Sequence, residues 1–101
     1  MADDLPVARV PAGIEDMIPV FMENRRKEAA ELRALLEAGG FERIAEIAHR
    51  MIGVGTPYGF DYITNQARLI RQGAVRRDAA GLERMLDELS HYLRVVRIVT
   101  E

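Results

Sequence analysis

The stretch that decides the fold is "LERMLDELSHYLRVV", Leu82 to Val96. Leu82, Met85, Leu86, Leu89, Leu93 and Val96 recur at the three-and-four spacing of one helix face and hold a single apolar stripe along the segment. Asp78, just ahead of it, is placed to accept from the first free amides as an N-cap. A helix of this length is marginal alone in water, so its stripe must be buried against other helices.

Working backwards, a second periodic segment starts near Phe60 and Asp61 and turns Ile63, Ala67, Ile70 and Leu69 inward. Gly73 is expected to end it, ahead of the connector "GAVRR". Before it, Phe41, Ile44, Ala48, Met51 and Gly55 share a face until "TPYG", where Pro57 and Gly59 disfavour a continuous helix. The first segment carries Ile14, Met17, Ile18, Phe21, Ala29, Leu32, Leu35 and Leu36, and "AGG" at Ala38 to Gly40 stops it. Pro19 is tolerated only in a first turn, where the amide it lacks has no intrahelical partner, which places Asp16 as the N-cap. Strand signals are missing. The expected fold is all-α: an up-and-down antiparallel four-helix bundle over residues 14–101, with residues 1–13 as a lead-in and room for a short extra N-terminal helix.

At 101 residues the chain supports one core, and 49% hydrophobic with 30% charged residues places it in the ordinary globular class. No apolar run approaches the roughly 20 residues that cross a bilayer, and the N-terminus lacks the basic and apolar regions of a signal peptide. No membrane association and a cytoplasmic location are therefore expected. The absence of cysteine excludes disulfides, thiolate metal sites and cysteine nucleophiles. A net charge of −2 with interleaved signs gives no general case for nucleic acid. The basic clusters "NRRK", Asn24 to Lys27, and Arg76-Arg77 read as a solvated helix face and a connector. No P-loop, Gly-rich phosphate cradle or nucleophile elbow is present, and His49 and His91 lack recognisable metal-ligand spacing. Neither an independent enzyme nor a metal site is expected.

The candidate functional residue is His49, in "AHRMIGVGTPYGF", Ala48 to Phe60. At about 100° per residue it lies roughly 130° from the centre of the Ile44, Ala48, Met51 and Gly55 sector, on the edge of the exposed face. One turn away stand Ala45, Ile52 and Gly53, with Thr56 a turn further on. Ala45 and Gly53 leave the imidazole standing proud, and Gly53 inside a helix costs about 1 kcal/mol relative to alanine. His91, off the apolar stripe and with no such clearing, is given a structural or neutral role.

The segment "HRMIGVGTPYG" resembles the motif of histidine phosphotransfer (HPt) domains of multistep two-component phosphorelays. In that family a histidine is followed by a hydrophobic residue two later, a lysine three later, a glycine four later and a second glycine ten later. The corresponding residues here are His49, Met51, Ile52, Gly53 and Gly59, and the resemblance extends from about Ile14 to Val99. It implies that His49 is a phosphoacceptor, taking a phosphoryl group on Nε2 from a receiver-domain aspartyl phosphate and relaying it to another response regulator. The implied partners are response-regulator receiver domains and a hybrid sensor histidine kinase, with Mg²⁺ on the receiver and no cofactor on this chain. Such a protein is a carrier rather than an enzyme. The implied docking patch is Ala45, Ile52, Gly53, Thr56 and Arg68 around His49.

The departure is Ile52, where the family carries a lysine that offsets phosphoryl charge. Arg71 matches a position, commonly glutamine in the family, that faces the histidine from the next helix, and it supplies charge and donors. Arg50 is the other candidate, although it points about 100° away. Ile52 also supports the alternative of an HPt-like interaction module that binds a receiver or kinase without relaying phosphate.

Overall fold

The computed structural model describes residues 5–101, so positions 1–4 of the expected lead-in lie outside the described residues. Its helices are α1 (Ile18–Glu37), α2 (Phe41–Ile52), α3 (Asp61–Val75) and α4 (Ala79–Val95). They alternate in direction, and side-chain pairs along each interface show it. Arg33 of α1 reaches Asp87 of α4, while Arg26 lies with Arg94 along the same cleft. Gln66 of α3 donates to Met85 O of α4, and Gly73 packs on Leu82. Arg77, just past α3, lies over the Phe41 ring that opens α2. The chain is an all-α four-helix bundle.

Each stripe supplies the core. Leu32, Ile44, Ile47, Met51, Ile63, Ile70, Leu82, Leu86 and Leu89 are all at most 1% exposed. At about 1.5 to 3 kcal/mol for each large side chain fully removed from water, this burial is what holds helices too short to persist alone. Leu69, expected to face inward, is exposed instead. It stands one residue from Ile70, so the two cannot share a face.

The helix ends follow local chemistry. Asp78 caps α4 by accepting from Gly81 N at 3.0 Å. At the end of α1, Gly39 takes φ +75° while Gly40 N bonds Leu35 O and Gly39 N bonds Leu36 O, a paired closure of the last free carbonyls. The end of α3 repeats it without glycine: Asp78 N bonds Gly73 O, Arg77 N bonds Ala74 O, and Arg77 sits at φ +57°. Gly73 therefore does not stop α3, which runs on to Val75. Its missing side chain serves the α3–α4 contact, where an added Cβ would come within 3.1 Å of Leu82 Cδ2. Asp16 is not the cap of α1 either. Met17 holds that position, Pro19 lies in the first turn, and Asp16 belongs to a single 3₁₀ turn, Glu15–Met17, where a short extra helix was expected.

Two short strands, where strand signals are missing from the sequence, add to the bundle and correct the reading of the lead-in. Val7–Val10 (β1) and Arg97–Thr100 (β2) form a parallel two-stranded sheet, with Val7 opposite Arg97 and Val10 opposite Thr100. β1 lies within the segment read as a lead-in, and it buries Ala8 and Val10 against the bundle. Arg25 is a second correction. Read as part of a solvated cluster, it is 8% exposed, paired with Glu28 and laid over the Phe21 ring at 4.7 Å. Its long apolar stem lets it cover the core while the head stays paired.

Candidate functional site

His49 occupies the last turn of α2 and is exposed. The burial of Ile44, Ile47, Ala48 and Met51 fixes the rotation of the helix and so turns His49 outward. Together with Ala45, Glu46 and Arg71 it lines a shallow surface depression of about 250 Å³ between α2 and α3. Arg71 therefore reaches the same concavity as the imidazole from the neighbouring helix. No hydrogen bond or ion pair engages the side chains of His49, Arg50 or Arg71 among the described residues. The arrangement offers an exposed nucleophilic imidazole beside an unengaged guanidinium, the fork that suits phosphate oxygens.

Glu46 is the residue that sequence reasoning passed over. It stands three positions before His49, a spacing that puts both on one face and was available in the sequence. Its carboxylate accepts from Arg43 Nη1 at 2.9 Å, so the acidic side of the depression is already partly balanced.

The other expected residues are distributed around this centre. Arg50 is exposed but does not line the depression. Arg68, one turn before Arg71 on α3, is exposed and donates to Asn65 Oδ1 at 3.1 Å. Ile52 is half-buried and packs against the core, which gives this side chain a structural use where the resembled family has a lysine. Gly53 is the C-cap of α2 rather than an interior residue, at φ −84°, and the nearest atom to an added Cβ would be Arg50 O at 3.9 Å. Neither backbone conformation nor crowding requires glycine at this position.

Thr56 faces another surface. It opens a 3₁₀ turn, Thr56–Tyr58, and both its amide and its hydroxyl lie 3.0 Å from Thr64 Oγ1. It lines a second depression with Gly59, Tyr62 and Tyr92 beside the sheet. There the fold is tightly constrained. An added Cβ on Gly55 would meet Phe60 O and Thr64, while Gly59 combines φ +92° with direct contact to the Arg9 carbonyl of β1. Phe60 stacks on Phe21 at 4.9 Å and Tyr58 packs on the same ring at 4.7 Å, closing this end of the bundle. Tyr62 and Tyr92 stack at 4.0 Å. Burial, then Tyr62, then Asp61 push the Tyr92 hydroxyl up to about 12, and burial followed by Glu88 raises Tyr62.

No group of three or more potential metal-ligating side chains occurs among the described residues. No helix among them is long and apolar enough to cross a membrane. Comparison with protein-family models, curated proteins and solved structures gives no match in any of the three.

Proposed function

We propose that the protein is a phosphoryl carrier of the histidine phosphotransfer kind, acting in a two-component phosphorelay. The observation that carries the proposal is the exposed, unengaged His49 sharing one depression with Arg71 on a four-helix bundle. His49 Nε2 attacks the phosphorus of a receiver's aspartyl phosphate, the bond from phosphorus to the aspartate oxygen breaks, and the carboxylate leaves. Transfer to a second receiver reverses the step. Such transfer depends chiefly on positioning and charge stabilisation, and the partner receiver brings the acceptor aspartate and Mg²⁺. This chain presents the imidazole on a surface open to the partner, and Arg71 stabilises the phosphorylated state. The reading also draws on the sequence resemblance, and it places the protein in the cytoplasm with receiver domains and a hybrid sensor histidine kinase as its partners.

The test is exposure to a phosphorylated receiver domain, or to phosphoramidate, followed by intact mass and acid lability for wild type, His49→Gln and Arg71→Ala. Wild type gains an acid-labile adduct of one phosphoryl mass. His49→Gln gains none, and Arg71→Ala shows a shorter-lived or less abundant adduct. A folded, helical wild type that takes no phosphoryl group from either donor overturns the proposal.

Ile52 favours a second reading. It provides no charge at a position where the resembled family has lysine, and it packs on the core instead. On this reading the bundle binds a receiver or kinase without relaying phosphate. Binding of a receiver that survives His49→Gln, with no adduct on wild type, is the outcome it requires.

A further inference from the structure

The two edges of the small sheet are unlike. β1 is covered near Arg9, whose carbonyl on the outer side abuts Gly59. β2 is exposed along its whole length, including Ile98 and Val99 at 41% and 39%. Its hydrogen-bonding parity is fixed by the contacts to β1: Arg97 N donates to Pro6 O and Glu101 N donates to Val10 O. The strand alternates, so the amides and carbonyls of Ile98 and Thr100 point to the open side. That parity turns the Ile98 and Thr100 amides away from β1, and no turn or loop carbonyl takes either of them among the described residues. A pair of parallel strands is a weak unit by itself, because parallel sheets are ordinarily covered on both faces and two strands alone are marginal.

The sequence of this edge, "RIVTE" from Arg97 to Glu101, complements itself when reversed. Antiparallel pairing about Val99 sets Arg97 against Glu101, Ile98 against Thr100 and Val99 against Val99. The outward groups then fall into register. Ile98 and Thr100 become the hydrogen-bonded pairs, exchanging both of their free amides and carbonyls. Val99 and the Arg97–Glu101 pairs become the non-hydrogen-bonded positions, where directly opposed side chains come closest. Charges on an edge strand commonly block self-association. In this register they attract.

We infer that β2 is a homodimerisation edge: two copies join antiparallel through β2 about a twofold axis at Val99, giving a four-stranded sheet ordered β1-β2-β2-β1. The interface is isologous, so the Ile98–Thr100 and Arg97–Glu101 pairs each occur twice and Val99 meets its own copy once, on the axis. It lies outside the His49 depression and does not depend on phosphotransfer.

Sedimentation equilibrium of the chain from about 10 µM to 1 mM tests it. Wild type is expected to approach twice the 11.4 kDa chain mass at the upper concentrations. Ile98→Pro removes an outward amide that β1 does not use, and is expected to weaken the dimer about tenfold or more while circular dichroism keeps the helices. Arg97→Glu and Glu101→Arg each create like-charge pairs and are expected to be monomeric alone, yet to form a heterodimer when mixed. A wild type that stays monomeric throughout, a dimer untouched by Ile98→Pro, or charge variants that do not complement one another would each overturn the inference.

Discussion

Residues 49–53 and 55–59, parted only by Val54, carry one sequence motif, yet the fold constrains the glycines of the two groups differently. In the second group Gly55, Thr56 and Gly59 are each held by a specific contact. Gly55 has no room for a Cβ, Thr56 is tied to Thr64, and Gly59 combines a left-handed backbone with contact to β1. In the first group His49 is exposed, and Gly53 has an ordinary helical φ and room for a Cβ, whose nearest neighbour would be Arg50 O at 3.9 Å. Two glycines of one motif thus have different physical standing. Gly59 is explained by architecture alone, whereas neither packing nor backbone conformation requires Gly53.

The contrast breaks first at Gly59. Gly59→Ala forces a side chain into the β1 backbone and is expected to destabilise the fold by about 2 to 4 kcal/mol, read from the chemical denaturation midpoint. A loss within about 0.5 kcal/mol would show that the two groups are alike after all. Thr64→Val leaves the Thr56 amide without its acceptor and is expected to cost about 1 to 2 kcal/mol in the same measurement.

Alkaline pH probes the same end of the molecule. An unfolded tyrosine ionises near 10, while folded Tyr92 holds its proton to about 12, so the unfolded state loses the proton first. Stability is therefore expected to be intact below pH 10 and to fall as pH rises from 10 towards 12, and Tyr92→Phe should flatten that decline. The smallest expected effect on stability is at Gly53. Gly53→Leu should fold within about 0.5 kcal/mol of wild type, and on the proposed function it should slow transfer from a receiver by obstructing the approach to His49. Unaltered transfer kinetics would remove Gly53 from the docking surface.

The sequence disclosed helices through long stripes and concealed what is short or shared. Leu82, Leu86, Leu89 and Leu93 repeat often enough to determine a face, and Asp78 marks where it starts. "VARV" and "RIVT" span four residues each, too few for alternation to outweigh their place at the margins of a helical chain, and their pairing is with each other across the whole bundle. Arg25 sat among other bases and read as solvated, though Glu28 three residues on was the clue to its pairing. Glycine misled twice. Gly73 looked like a stop and Gly53 like an interior residue, because a sequence shows that a side chain is missing but not whether a backbone angle, a neighbour or neither accounts for it. At the site, the outward turn of His49 followed from helical phase. Its meeting with Arg71 in one depression depends on how α2 and α3 pack, which periodicity within either helix does not specify.

The β1–β2 pairing also has a kinetic side. Val7 meets Arg97 across ninety positions, whereas the antiparallel helix contacts bring together far nearer parts of the chain. Loop closure of that span has to be met by only a few strand hydrogen bonds, so the helices can assemble before the seam is drawn shut. In hydrogen exchange the amides of Arg97 and Glu101 should then open sub-globally, ahead of the α3 and α4 interior, making the clasp that joins the two ends of the fold the last part to form and the first to let go.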